Sequence, residues 1–265
     1  MRSSKPWIAA ALRSKRNVLM AVILRDMRTR FFNHGLGYLV VILWPLAHLT
    51  VLITISWAIG RAAPYGDSPP LFFATGLVPT LAFMYVSRYM AFSIVLNRPM
   101  MTMPIVKPLD IMVGRAVLEL VAACATMAVV ILILWLIGAS PFPYSLEEAA
   151  KAYFSVLYLG VCFGFLAGVI TSLFPIFATI YSLSLIVTYV SSGSMFVANR
   201  MPTQIGEALS YNPVLECVEW MRSAYFPTYS AQLVSVSYIY FVGGFVLVAA
   251  LVLERLMRRQ ILERL

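Results

Sequence analysis

The sequence contains few charged residues for its length. Lys, Arg, Asp and Glu make up 12% of the 265 residues, whereas an ordinary soluble domain carries about 25%. Hydrophobic residues reach 61%, and they fall into blocks of about 20, the length that crosses the ~30 Å hydrocarbon core of a bilayer. This composition excludes an ordinary soluble domain and predicts an integral membrane protein.

Motifs for nucleotide binding, catalysis and metal binding are also missing. The chain has no G-x-x-x-x-G-K-[ST] phosphate loop, no H-E-x-x-H and no G-x-S-x-G. Its three cysteines, Cys124, Cys162 and Cys217, form no CxxC pair and no cluster with histidine. We therefore expect a non-catalytic protein that has no cofactor, metal or disulfide framework of its own.

The basic residues are distributed asymmetrically along the chain, which carries a net charge of +9. Fifteen of them lie in the first 30 residues, between residues 98 and 115, and after residue 254, whereas four lie in the alternate connections. Such a bias predicts that both termini are cytoplasmic. Because the charges flank apolar segments and form no basic and aromatic surface, we expect no nucleic-acid partner.

The apolar blocks and the turn residues between them predict an all-α fold with six transmembrane helices. The predicted spans are residues 38–60, 71–96, 115–138, 152–173, 175–196 and 233–254.

Residues 18–34 predict an amphipathic interface helix on the cytoplasmic side. Apolar residues recur at helical spacing there, and Arg25, Arg28 and Arg30 occupy other positions. This helix either recruits an anionic ligand through its arginines or serves as a plain membrane anchor.

Residues 200–232 predict a second helical segment, on the non-cytoplasmic side between the fifth and sixth spans. Asn212-Pro213 is a helix-start signal, and apolar residues follow it at helical spacing. Because the segment is too short and too charged to span the membrane, we expect a re-entrant pair of helices that closes the exit.

Residues 97–113 predict a cytoplasmic loop stiffened by several prolines. A transporter without a phosphate loop needs an external source of energy, so this loop is the candidate contact with a separate ATPase. The candidate coupling residues are Arg98, Met101, Pro104, Val106, Lys107, Pro108 and Asp110.

The sharpest candidate for substrate binding is Arg88, because an arginine at the centre of a membrane helix costs about 2.5–3.5 kcal/mol. It either faces a polar cavity or an anionic ligand, or its side chain extends to the inner interface.

The fifth span carries a polar stripe, which is either a pore wall or a helix-packing surface. Other candidates are aromatic, since sugars stack on aromatic faces. The stripe consists of Tyr181, Ser184 and Thr188, and the aromatic candidates are Tyr38, Trp44, Tyr85 and Tyr89.

Two polar residues within spans are expected to be structural. Glu119 lies one helical turn from Arg115, and the two should pair along one helix face. His48 stands alone in the first span, and a lone histidine is more often a packing residue than a ligand.

Four sequence patterns occur in an order that resembles a known family. They are Arg25-Asp-Met-Arg-Thr-Arg-Phe31 with Leu36-Gly-Tyr38 and Trp44-Pro45; Gly76-Leu-Val-Pro79; Val106-Lys-Pro-Leu-Asp110; and Asn212-Pro213 with Glu219, Arg222 and Phe226. On these patterns nearly the whole chain is similar to the transmembrane subunit of type-2 ABC exporters for capsular polysaccharide. One departure is Trp44-Pro45, where relatives often have an acidic residue before the proline.

The resemblance implies a single transmembrane domain over residues 1–265 and a homodimer of six-span subunits. It implies two copies of a separate ATPase, which binds ATP and Mg, together with a periplasmic adaptor and an outer-membrane polysaccharide export protein. The implied cargo is a lipid-linked acidic polysaccharide, exported across the inner membrane of a Gram-negative bacterium. The residues implied for a periplasmic gate are Asn212, Pro213, Glu219, Arg222 and Phe226.

Two alternatives remain open at this point. The cargo could be another lipid-linked glycan, such as O-antigen or teichoic acid, or a small amphiphile. The chain could also be a membrane enzyme acting on lipid-linked sugars. That activity needs a carboxylate or histidine cluster at the interface, and Asp26 and Asp110 alone are sparse for it.

Overall fold

A computed structural model describes residues 6–29, 37–58, 60, 63–66 and 68–263, apart from the side chains of residues 6–9, 29, 37, 38, 56 and 57. Within this part of the chain the regular structure is entirely helical, which confirms the all-α prediction. The helices are α1 (Pro6–Thr29), α2 (Gly37–Ala58), α3 (Pro69–Ala91), α4 (Ser93–Leu96), α5 (Pro108–Leu136), α6 (Leu146–Leu173), α7 (Phe177–Ser191), α8 (Thr203–Ser210), α9 (Pro213–Tyr225) and α10 (Val236–Glu263).

Four of the described helices, α3, α5, α6 and α10, are long and apolar enough to cross a membrane. Two further apolar stretches, Leu39–Ile55 within α2 and Phe177–Ser191 in α7, are shorter. Each of these six segments overlaps one predicted span. Crossing by α2 and α7 stays a prediction.

Two helices begin before the apolar blocks that predicted the spans, because capping residues start them. Helix α5 begins at Pro108, before the predicted span start at residue 115, and the carboxylate of Asp110 accepts a hydrogen bond from the Lys107 backbone N–H at 3.0 Å. Helix α6 begins at Leu146, before the predicted span start at residue 152, and the Ser145 hydroxyl accepts a hydrogen bond from the Glu148 N–H at 3.4 Å. The span starts themselves stay predictions.

Three helix ends also differ from the prediction. The single span over 71–96 is interrupted at Phe92, and the separate short helix α4 follows. Helix α7 ends at Ser191, before the predicted residue 196, because Gly193 takes a left-handed backbone turn with φ of +71°. Helix α10 continues past residue 254, since pairs such as Glu254–Arg258 (2.9 Å) support its last turns.

Helix α1 is described from Pro6, so the predicted start of the interface helix at residue 18 was too late. The alanines at positions 9–11 are strong helix formers and favour the longer helix. The end of the prediction, residues 30–34, lies outside the described residues. Val18 and Val22 are buried, whereas Met20 and Leu24 are exposed. Gly114 of α5 lets Val22 approach closely, because a Cβ there would lie 2.8 Å from a Val22 methyl.

The core forms where α3 packs on α6. Three glycines spaced four residues apart, Gly160, Gly164 and Gly168, face α3 and α4. A Cβ at Gly164 would lie 2.6 Å from the Cβ of Met90, so only glycine permits this approach. Helix α9 packs on both α3 and α6, and α10 packs on α6.

The outer faces of α2, α5, α7 and α10 expose large apolar side chains. Leu43, Val117, Leu183 and Phe245 are examples. An apolar surface of this extent requires lipid or a neighbouring protein to cover it.

Candidate functional site

The loop between α4 and α5, predicted to be cytoplasmic, is a compact set of turns. Residues Arg98–Met100 form a 3-10 turn, and the predicted residues 108–113 belong instead to the start of α5. The loop exposes two apolar side chains at its surface, Met103 (51%) and Ile105 (54%). Neither residue was identified from the sequence. Their apolar side chains within a charged loop could have indicated an exposed contact surface.

The predicted coupling residues divide into an inner and an outer set. Met101, Val106 and Pro108 are buried, whereas Pro104 and Lys107 are exposed. The remaining two anchor the loop. Arg98 Nη2 lies 3.5 Å from the carbonyl oxygen of Ser172 at the end of α6. Both carboxylate oxygens of Asp110 accept hydrogen bonds from Lys15 Nζ of α1 at 2.8 Å.

Helix α1 is tied to the loop at a second point. Arg25 Nη1 donates to Asn97 Oδ1 at 3.0 Å, so this arginine contacts protein. Arg28 is exposed, and Arg30 lies outside the described residues. Of the two described arginines predicted to recruit an anionic head group, Arg28 is therefore the exposed one.

Arg115 lies at the junction of three helices. Its Nε lies 2.8 Å from Glu119 Oε1, which confirms the predicted pair on α5. Its Nη1 donates to Asp26 Oδ2 of α1 at 3.1 Å, and its guanidinium carbon lies 5.8 Å from the centre of the Tyr89 ring of α3. The contact with Asp26 was not predicted, because no spacing rule connects residues this far apart.

An aromatic track runs along one side of α3. It consists of Trp44 and His48 from α2, Tyr85 and Tyr89 from α3, and Tyr189 from α7, and the Trp44 side chain contacts that of Tyr85. Tyr85 and Tyr89 stack with ring centres 6.1 Å apart. His48 Nδ1 lies 3.3 Å from the Tyr85 hydroxyl, and its ring centre lies 6.0 Å from that of Tyr189.

Three of the predicted substrate residues, Trp44, Tyr85 and Tyr89, thus come together in this track. Arg88 is exposed on α3 next to it. The side chain of Tyr38 lies outside the described residues. His48, expected to be a packing residue, bridges two of the tyrosines.

The polar stripe of α7 faces a different space. Tyr181, Ser184 and Thr188 line a cleft of about 380 Å³, together with Asn212 of α9 and Tyr238 of α10. No residue of the aromatic track lines this cleft among those that the structure describes. The structure therefore separates the two groups that the sequence had suggested as one pore wall.

The predicted gate contains a helix cap. Asn212 Oδ1 accepts a hydrogen bond from the Val214 N–H at 3.0 Å, and Pro213 occupies the first position of α9. The Asn212 amide also donates to the Ser191 hydroxyl at 2.8 Å. The cap thereby joins the start of α9 to the end of α7.

Arg222 of the predicted gate is fully buried. It donates to the carbonyl oxygens of Phe196 (2.7 Å) and Ser194 (3.0 Å), and its guanidinium lies 4.2 Å from the centre of the Phe72 ring. Burial lowers the pKa of Arg222, but the side chain remains a cation at neutral pH. It fixes α9 to α3 and to the segment after α7.

Glu219 completes this cluster from the next turn of α9. Its Oε1 accepts hydrogen bonds from the Tyr229 hydroxyl at 2.7 Å and from Arg222 at 3.4 Å. Burial raises the pKa of the Glu219 carboxyl. A buried charge of this kind is stable only while its partners stay in place.

Phe226, the last predicted gate residue, is half-buried at the end of α9. Its ring centre is 5.6 Å from that of Tyr65, whose hydroxyl lies 2.6 Å from Thr228 Oγ1. Glu216 was not singled out from the sequence. It accepts a hydrogen bond from the Ser235 N–H at 2.9 Å, and burial raises its pKa to about 7.

The described residues contain no group of three or more His, Cys, Asp or Glu side chains that could hold a metal ion. The three cysteines are free; Cys162 and Cys217 are buried, and Cys124 is exposed on α5.

The chain is similar to capsule export proteins of three bacterial species. It is 31% identical to the polysialic acid transport protein KpsM of Escherichia coli over 219 residues, covering 83% of this chain and 85% of the relative. It is 25% identical to the capsule polysaccharide export inner-membrane protein CtrC of Neisseria meningitidis serogroup B, covering 83% and 82%. It is 24% identical to the capsule polysaccharide export inner-membrane protein BexB of Haemophilus influenzae, covering 79% of each chain. No family model matches the chain.

Proposed function

The chain belongs to the family of capsule polysaccharide export inner-membrane proteins, and from this premise we propose that it is the transmembrane subunit of an ATP-driven exporter. Its cargo is a lipid-linked capsular polysaccharide, moved from the cytoplasm to the periplasm across the bacterial inner membrane. The observation that carries the proposal is the 31% identity to a polysialic acid transport protein, which extends over most of both chains.

Six helices cross the membrane in this proposal, with α2 and α7 as the first and fifth spans. Both termini are cytoplasmic, as the distribution of Lys and Arg favours. Helices α8 and α9 form a re-entrant pair on the periplasmic side. Two copies of the chain assemble, and a second copy would cover part of the apolar faces of α2 and α7.

The permease is non-catalytic, and its energy comes from two copies of a separate ATPase that bind ATP and Mg. The loop surface with Met103 and Ile105 docks into the ATPase, since exposed apolar side chains at the centre of a contact give most of its binding energy. A periplasmic adaptor and an outer-membrane export protein continue the path.

The glycan passes along the aromatic track, and Arg88 attracts its acidic groups. An exposed cation next to a row of aromatic faces is the chemistry that suits an acidic sugar chain. In lipid the same arginine would be unfavourable. The proposal therefore places Arg88 toward the water-filled path between two subunits.

The test is gentle purification of the protein from native membranes, with identification of every protein and glycolipid that accompanies it. We expect an equimolar ATPase with a phosphate loop, and a capsular glycolipid. The variant Met103→Asp should lose the ATPase, while the control Tyr144→Asp, at an exposed site far from the loop in sequence, should retain it.

Absence of any ATPase under several mild detergents would contradict the proposal and favour a membrane enzyme. Recovery of an ATPase with O-antigen or a teichoic acid would keep the transport mechanism and change the cargo.

A further inference from the structure

The ion pairs of Arg115 form the most deeply buried charge cluster on the cytoplasmic side of the described structure. The side chains of Arg115, Asp26 and Glu119 are each at most 4% exposed. Burying charges is unfavourable unless they are paired in good geometry, and apolar replacements often stabilise a protein equally well. Stability alone therefore does not account for placing this cluster between helices.

The position of Arg115 connects two regions that the proposed function uses separately. On one side, Asp26 belongs to α1, which is tied to the cytoplasmic loop by Arg25–Asn97 (3.0 Å) and Lys15–Asp110 (2.8 Å). These contacts make α1 and the loop one unit, so a force on the loop also moves α1.

On the other side, Arg115 contacts the aromatic track. Its guanidinium carbon lies 5.8 Å from the centre of the Tyr89 ring, which is within the range of a cation–π contact. Tyr89 stacks on Tyr85, and Tyr85 contacts His48 of α2. A continuous chain of contacts thus leads from Asp26 through Arg115 to the side chains proposed to face the glycan.

We propose that Arg115 is a positioning residue that transmits movement of α1 and the cytoplasmic loop to the aromatic track. When the ATPase closes and draws the loop and α1 with it, Asp26 displaces the guanidinium, and the guanidinium shifts Tyr89 and Tyr85. The cluster is suited to this task because networks of ion pairs and packed side chains can carry energetic coupling between distant sites, and this one joins α1, α3 and α5. This inference rests on the proposed function, since it requires an ATPase that acts on the loop.

The experiment measures glycolipid transport and ATP hydrolysis by the complete complex in vesicles. The main variant is Arg115→Lys, which keeps the charge but lacks the planar fork that reaches both carboxylates and faces Tyr89. The second is Asp26→Asn, which removes the link to α1. The control is Lys151→Met, which removes a cation from another pair of carboxylates, Glu147 (2.6 Å) and Glu148 (2.9 Å), near the start of α6.

We expect Arg115→Lys and Asp26→Asn to lower glycolipid transport per ATP hydrolysed by about tenfold, a typical size for coupling between sites. The rate of ATP hydrolysis should stay near wild type, because the contacts to the ATPase are intact. The double variant should transport as much glycolipid per ATP hydrolysed as the weaker of the two single variants, because both substitutions interrupt the same route. Lys151→Met should keep the wild-type ratio, because its ion pairs lie outside the proposed route.

The inference is overturned if the Arg115 and Asp26 variants lose transport and ATP hydrolysis in proportion, or if Lys151→Met changes the ratio equally. If Asp26→Asn does not fold, the charge-conserving pair Arg115→Lys and Asp26→Glu decides the same question. Transport by the wild-type complex is measured before any variant is made. A wild-type complex without ATP-dependent glycolipid transport would overturn the proposed function itself.

Discussion

Arg88 and Arg222 have the same side chain but opposite surroundings. Arg222 is fully buried, and its two terminal nitrogens donate hydrogen bonds to protein carbonyl oxygens and to Glu219. Arg88 is exposed in the single chain, although it lies in one of the helices apolar enough to span a membrane. The first is therefore part of the framework, and the second is available to a ligand.

We predict that Arg88→Ala lowers polysaccharide at the cell surface while the amount of protein and its binding to the ATPase stay normal. The loss follows from removal of the cation that attracts the acidic glycan. Surface polysaccharide can be quantified with a glycan-specific antibody, and protein with an epitope tag.

Arg222→Ala is the contrasting variant. It leaves Glu219 buried without its cation, and breaking a buried pair costs about 3–5 kcal/mol, so protein level should fall together with export. Normal export by Arg88→Ala would remove Arg88 from the mechanism.

Residue pairs close in sequence could be predicted, whereas distant ones could not. The Arg115–Glu119 pair follows from helical spacing alone. The contact between Arg115 and Asp26 joins positions 89 residues apart. Nothing local distinguishes Asp26 from an ordinary carboxylate on the polar face of an amphipathic helix.

At the scale of helices, the packing of α6 on α3 depends on the absence of side chains. Gly160, Gly164 and Gly168 form a stripe along α6, and Met90 of α3 occupies the space in front of Gly164. Small residues at intervals of four allow membrane helices to approach closely, and dispersion contacts then hold them together.

We predict that Gly164→Ala destabilises the protein in detergent by about 1–3 kcal/mol, as overpacking typically does. The added methyl group would lie 2.6 Å from the Cβ of Met90, so the helices must separate. Thermal unfolding of the purified protein measures the effect.

The matched control for this substitution is Gly206→Ala in α8. Its Cβ would meet nothing nearer than 3.9 Å, and alanine is the better helix former. Equal melting temperatures for the two variants would contradict the packing argument.

Helix boundaries depend on local chemistry that hydropathy does not report. Pro108 with Asp110 starts α5, and Ser145 starts α6, each earlier than the apolar block that follows. At the other end, ion pairs extend α10 beyond its apolar part. Capping and charge spacing therefore explain most of the differences between predicted and observed ends.

At the scale of the whole molecule, the orientation in the membrane is the feature on which the remaining assignments depend. The loop with Met103 and the turn with Tyr144 lie at opposite ends of α5. Both side chains are exposed, Tyr144 at 79%. With cytoplasmic termini, the first faces the cytoplasm and the second faces the periplasm.

We predict that Tyr144→Cys reacts with a membrane-impermeant maleimide in spheroplasts with an intact inner membrane. Met103→Cys should react only after the membrane is permeabilised, because the charge distribution places its loop inside. Both variants are made in a Cys124→Ala background, since Cys124 is exposed and the other two cysteines are buried. The reverse pattern of labelling would invert the topology and exclude the loop as the ATPase contact.

The sequence by itself determined that the protein is a helical membrane protein, where its apolar helices lie, and which family it resembles. These properties are sums over neighbouring residues, because hydropathy, turn residues and charge bias all act locally along the chain. The tertiary structure decided which polar residues meet. It brought Asp26 to Arg115, enclosed Arg222 completely, and separated the stripe of Tyr181 from the track of Tyr85. Those outcomes depend on how distant helices pack, and the free energy of a charge depends on the partners that this packing supplies.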